Sequence, residues 1–133
     1  MTEIIKGYIV TESKQLSAHF KASEFNCHCC GKLHSDGMNK HLIELLEEIR
    51  VKINKPITIM SGYRCPKHNK EVGGAEHSQH VEGTAADIKV KDMDADDVQH
   101  WLVLNFNDKI GGIGCYETFT HIDVRSGHAR WSK

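Results

Sequence analysis

One apolar stripe at helical spacing limits how this chain can fold more than any other feature. Met38, Leu42, Leu45, Leu46, Ile49 and Ile53 recur at offsets of 4, 7, 8, 11 and 15, with Lys, Glu and Arg on the opposite face. That is the 3.6-residue period of an amphipathic helix, and such a face is stable only when covered. Asp36-Gly37 is a fair start signal and Asn54-Lys-Pro56 a stop, so the pattern predicts a helix from about Met38 to Ile53. The cover must come from the β-branched runs Pro56–Met60 and Ala85–Val90 and from a late pair, Gly111–Cys115 and Phe119–Val124. A second helix is predicted after Met93. Asp94 is its N-cap, Asp96 and Asp97 complement its dipole, and Val98, Trp101, Leu102 and Asn105 lie on one face. The order helix, strand, loop, strand, helix, two strands predicts an α+β fold with a small, mainly antiparallel sheet and two main helices.

The 133 residues suit a domain over 18–133 with an N-terminal extension over 1–17, in which Ile4, Ile5, Tyr8, Ile9 and Val10 suit one short strand or the cover of a groove. Lys plus Arg is 17 and Asp plus Glu 18, a net charge of −1, which leaves no polyelectrolyte attraction to nucleic acid and no polybasic patch for a membrane surface. The apolar runs are too short to span a bilayer. The start, MTEIIKGYIVTESKQ, lacks the apolar core and small-residue cleavage site of an export signal, so synthesis in the cytoplasm with reduced thiols is expected, as a monomer.

Chemistry concentrates around residues 63–84, a polar stretch with Gly73, Gly74 and Gly83 that reads as a long loop, and long loops in compact domains are usually functional. Within Ser78-Gln-His80-Val-Glu-Gly83-Thr-Ala-Ala-Asp87, Gly83 permits a tight reversal that can bring His80 to Asp87. Imidazole and carboxylate are both good zinc ligands. In Phe119-Thr-His121-Ile-Asp123, strand alternation puts Phe119, His121 and Asp123 on one face. A buried His and Asp there need a partner, which a metal would supply. His19, His34, His41, His100 and His128 are read as solvated or hydrogen-bonded.

Ser61-Gly-Tyr-Arg64, Asn69, Val72-Gly-Gly74, Ser78-x-His80-x-x-Gly83-x-Ala85-x-Asp87, Gly112-Ile-Gly114 and Phe119-x-His121-x-Asp123 together resemble the zinc D-Ala-D-Ala carboxypeptidase family, from about Phe20 to Trp131. That family includes peptidoglycan-trimming carboxypeptidases and phage endolysins that cut the L-Ala–D-Glu bond, and it shares its fold with hedgehog signalling domains. The resemblance implies His80, Asp87 and His121 as the protein ligands of one catalytic Zn²⁺, with a fourth position open for water that the metal activates. It implies that Arg64 holds a substrate carboxylate or the developing oxyanion, the alternative being a surface salt bridge. Relatives carry a carboxylate shortly before the last histidine. Glu117, four residues before His121, is the candidate to move the proton, although Thr118 holds the position where some relatives have the acid. Asp123 would orient a ligand, and Ser78 and His77 would line the cleft, with an exposed loop residue the preferred reading of His77.

The implied activity is a zinc peptidase acting on peptidoglycan stem peptides, at either bond, with release to the cell wall in phage or prophage fashion. A non-catalytic zinc-containing binding module of the same fold is the alternative. Cys27, Cys29, Cys30 and Cys65 remain. Their spacing is read as departing from a zinc knuckle, so a small buried cluster covering the end of the first helix is preferred to a second, structural ion or a disulfide from Cys65.

Overall fold

The chain begins with a hairpin rather than one strand. β1 (Thr2–Ile5) pairs antiparallel with β2 (Tyr8–Thr11), which pairs in turn with the two-residue β3 (Met38–Asn39). The structure is a computed structural model that describes residues 2–5, 8–11, 15–32, 38–74 and 78–132, the first two segments by backbone. The start signal assigned to Asp36-Gly37 and the residues His34 and His77 lie outside the described residues.

Asn39 caps the first helix. Its side chain accepts hydrogen bonds from the backbone N–H groups of His41 and Leu42, at 2.9 and 3.2 Å, two donors that a helix start leaves unpaired. Helix α1 (Lys40–Ile53) therefore begins two residues past Met38, the first residue of the stripe. It stops at Asn54, whose φ of 54° is left-handed backbone that a small polar residue tolerates. Leu42, Ile43, Leu45, Leu46 and Ile49 are buried. Leu46→Ala is expected to cost about 2–5 kcal/mol through lost burial and the cavity left behind, read as a lower urea midpoint.

The cover is a five-stranded sheet. β4 (Ile57–Ser61), β5 (Ala85–Val90), β6 (Gly112–Cys115), β7 (Thr120–Asp123) and β8 (Ala129–Ser132) lie in the order β4-β5-β7-β6-β8. Every neighbouring pair is antiparallel except β6 and β8, so the predicted α+β class and mainly antiparallel sheet are what the structure has. Strand alternation separates the two faces. Ala86, Ile88, Val90, Ile113 and Ile122 join the core with α1 and with Val98, Leu102 and Phe106 of a second long helix (Ala95–Phe106). Asp87, His121 and Asp123, one step out of phase, face the other way. Asp94 holds the N-cap position of that helix without a side-chain cap bond, Trp101 is half-buried, and Asn105 is exposed; Phe106 rather than Asn105 completes its inner face.

The stretch over 63–84 is not all loop. Pro66–Glu71 forms a short helix, α2, which makes Ala95–Phe106 α3. Proline at the first helical position and the Cys65 sulfur accepting from His68 N–H set its start. β8 was also not predicted. No helix among the described residues is long and apolar enough to cross a membrane.

Candidate metal centre

Asp87 and His121 are direct cross-strand partners on β5 and β7, so their side chains leave the sheet side by side. His80 arrives from the turn that precedes β5. Ser78 starts that turn by accepting the His80 N–H on its hydroxyl at 3.2 Å. Gly83, at φ 74°, reverses the chain as only a residue without Cβ does easily. The turn is laced to the end of β4: His80 C=O accepts from Arg64 N–H at 3.1 Å, and His80 Nδ1 donates to Gly62 C=O at 2.8 Å.

The three side chains meet. His80 Nε2 lies 3.2 Å from Asp87 Oδ1, His121 Nδ1 lies 3.1 Å from the same oxygen, and the two nitrogens are 3.2 Å apart. All three residues are buried. The outward nitrogens fix the tautomers. His80 Nδ1 faces a carbonyl, and His121 Nε2 faces Asp123 Oδ2 at 2.8 Å. Both must be N–H donors, so in the neutral rings both inward nitrogens carry lone pairs aimed at a carboxylate oxygen. Three converging lone pairs repel unless a cation sits among them. Ligand atoms about 2.0–2.1 Å from a tetrahedral zinc lie roughly 3.3 Å apart, so the donor set fits zinc in both chemistry and spacing.

Electrostatics agree. Burial pushes the Asp87 carboxyl up, but the hydrogen bonds from His121 and His80 outweigh it and hold the group at about 2. Burial pushes His121 down, while Asp123 and Asp87 more than compensate and raise it. Burial of Asp123 is opposed by His121 and by Arg125, whose Nε and Nη2 reach its oxygens at 2.6–3.0 Å, and the carboxyl lies far below its usual range. Without metal, a proton on His121 takes the cation's place. The Asp87 contribution to stability is then present above its ordinary 3.8 and lost as pH falls towards about 2. The His121 contribution is full below its ordinary 6.5 and lost as pH rises through its raised value. Metal-free protein is therefore expected to lose stability on both sides of a window from about 4 to 6.5. Saturating zinc, which requires a neutral imidazole, is expected to abolish the loss on the alkaline side. Thermal melts with and without chelator measure both limbs.

The triad forms the floor of a cleft of about 510 Å³. Arg64 lines it, oriented by its Nη1 donating to the buried Asn69 Oδ1 at 2.9 Å, and Ser78 lines it beside His80. Sequence reasoning missed much of the opposite wall. Arg125, Tyr116 and Trp131 line the cleft with Phe119. The Trp131 ring lies 5.1 Å from that of His121, its Nε1 donates to Tyr116 Oη at 3.2 Å, and the Arg125 guanidinium lies 5.0 Å from its centre. Arg125 had one signal, its place two residues past Asp123.

Glu117 is the expected site residue that the structure does not bring to the cleft. Tyr116 and Phe119 stack at 4.4 Å, and Tyr116 N–H donates to Phe119 C=O. That closes the turn with both rings on the cleft and leaves Glu117 exposed, on a separate depression with Thr118, Lys89 and Met93. Among the described residues lining the cleft, Asp87 is the one carboxylate.

Asp87 and His121 from the sheet, with His80 from the turn before it, make a two-histidine, one-aspartate donor set on the floor of an open cleft, the ligand set of a catalytic metal centre. The chain belongs to the peptidase M15 family of zinc-dependent metallopeptidases, whose family model matches residues 18–123. No curated protein matches the sequence.

Proposed function

We propose that the chain cleaves stem peptides of peptidoglycan, as a D-Ala-D-Ala carboxypeptidase or an L-Ala–D-Glu endopeptidase, with zinc held by His80, Asp87 and His121. The observation that carries this reading is the convergence of three lone pairs at 3.1–3.2 Å on the floor of a cleft with two guanidinium groups. Zinc in that place would polarise the scissile carbonyl and acidify a bound water. Arg64 and Arg125 give the cleft fixed positive charge. Both candidate bonds have a carboxylate close by: the terminal one of D-Ala-D-Ala and the α-carboxylate of D-Glu. Arg64, steadied by Asn69, is placed to hold such a group and the oxyanion that develops beside it. Arg125 is partly engaged with Asp123, and its main part is to steady that carboxylate. The stacked Tyr116 and Phe119 offer an apolar wall for the alanyl methyl groups. Glu117 has no part in this reading.

Digestion of purified peptidoglycan followed by mass spectrometry of the products tests it. Loss of one terminal alanine indicates the carboxypeptidase, and released peptides that begin at D-Glu, with L-Ala left on the glycan, indicate the endopeptidase. An unchanged muropeptide profile with zinc-loaded protein would leave only a binding role and sink the proposal.

A further inference from the structure

Sequence reading treated Cys27, Cys29 and Cys30 as one cluster and found no knuckle spacing in it. The structure separates them. The sulfur atoms of Cys27, Cys30 and Cys65 lie within 4.8 Å of one another, while Cys29 groups with His68 and Glu71 instead. Cys27 is buried, but Cys29 and Cys30 are exposed and Cys65 is half-buried. The cluster sits against the start of α2, so a buried group covering the end of the first helix is not what forms.

The pairing exposes two regular spacings, Cys27-x2-Cys30 and Cys65-x2-His68. Each is shaped like a ligand turn. The Cys65 backbone N–H donates to the Cys27 sulfur at 3.3 Å. Gly31 follows Cys30 at φ 70°, and Cys27 C=O accepts its N–H at 2.8 Å. In the second turn, the Cys65 sulfur accepts from His68 N–H at 3.4 Å. Amide hydrogens aimed at sulfur favour the thiolate, which is the form that binds metal. Cys65 is the N-cap of α2 and His68 is in its first turn, so the two side chains rise on the same side of the helix. Cys29, at the third place of the first turn, groups with His68 and Glu71 in an adjoining cluster.

We propose that Cys27, Cys30 and Cys65 hold a second, structural zinc ion, and that His68, which the structure groups with Cys29 and Glu71, turns in to complete a Cys3His set. Sulfurs about 2.3 Å from a tetrahedral zinc stand roughly 3.8 Å apart, within the spread of this triad. Zinc replaces the thiol protons and leaves no ligand position for substrate. What it joins is specific. Tyr63 N–H donates to Phe25 C=O at 2.9 Å, and an added Cβ on Gly62 would stand 2.7 Å from Phe25 Cα, so segments 25–27 and 62–65 already run in close contact. The ion would clamp them together and so hold Arg64 and the Gly62 carbonyl that orients His80.

The test uses the full chain carrying His80→Ala, which disables the cleft centre, reduced and then titrated with zinc or cobalt(II). The expected result is one ion per chain and cobalt absorption bands of sulfur-to-metal charge transfer. Adding Cys65→Ser is expected to remove both, and adding His68→Ala to weaken binding at least tenfold while keeping the charge-transfer bands. In the wild type, two zinc ions are expected, and zinc is expected to raise the melting temperature of His80→Ala protein but not of the Cys65→Ser double variant. A His80→Ala chain that binds no cobalt, or binds it without charge-transfer bands, overturns the proposal even if the cysteine variants fail to fold. So does unchanged affinity in His68→Ala, or a non-reduced mass 2 Da low that marks a disulfide.

Discussion

His80→Ala is expected to empty the cleft of zinc and reduce peptidase turnover to background. Losing an outer hydrogen-bond partner of a metal ligand costs about 10–100-fold in affinity, and losing the ligand itself is expected to exceed that range. The substitution also leaves the buried Gly62 carbonyl without its 2.8 Å donor, a further destabilisation of about 1–3 kcal/mol. Two measurements separate these effects. Equilibrium dialysis against buffered zinc reads the affinity, and chelator-treated protein, compared by urea unfolding, reads the structural part alone. Wild-type affinity in this variant would mean that the three lone pairs do not form the site.

The second large effect is expected at Asp123, which is not among the residues lining the cleft. Its carboxylate is fully buried, accepts from His121 Nε2, and takes the Arg125 backbone N–H and guanidinium. Asp123→Ala strips the partner from a buried ring N–H and from a half-buried cation, and is expected to cost about 3–5 kcal/mol. Asp123→Asn keeps the volume and is expected to cost less stability, but its amide NH2 turned towards His121 would shift the ring proton to Nδ1, where zinc must bind. A fall of about 10–100-fold in zinc affinity is expected for it. Stability and affinity should thus separate: the alanine variant loses more of the first, and the asparagine variant loses affinity out of proportion to its stability. Equal losses of both in the two variants would reduce Asp123 to a packing role. The neighbouring glycine is part of the arrangement, since a Cβ on Gly112 would stand 2.3 Å from Asp123 Oδ2.

How far these features could be read before the structure depended on the range of the interaction. The α1 stripe and the alternation along Phe119–Asp123 are local periodicities, and both survive folding. The pairing of His80 with Asp87 was also legible, because Gly83 confines it to one turn. Glu117 was misplaced because residue spacing does not say to which side a turn throws its tip, and here the stacking of Tyr116 on Phe119 decides it. α2 has no apolar stripe to announce it, being a helix of six residues set by Cys65 and Pro66. β8 pairs in parallel with β6, and nothing in Ala129–Ser132 names its partner. Cys27 and Cys65 are 38 residues apart, so the pair spacings that matter emerged only when their sulfurs met.

Trp131 makes the cleft observable by light. The chain has two tryptophans, and Trp101 sits away on α3 against Phe106. The Trp131 indole stands beside His121, the ring on which proton and metal compete. A charged imidazolium quenches a neighbouring indole, whereas a closed-shell zinc ion does not. Emission should therefore brighten as zinc enters, with Trp101 as a constant background, so that occupancy of the centre can be followed in real time without a dye.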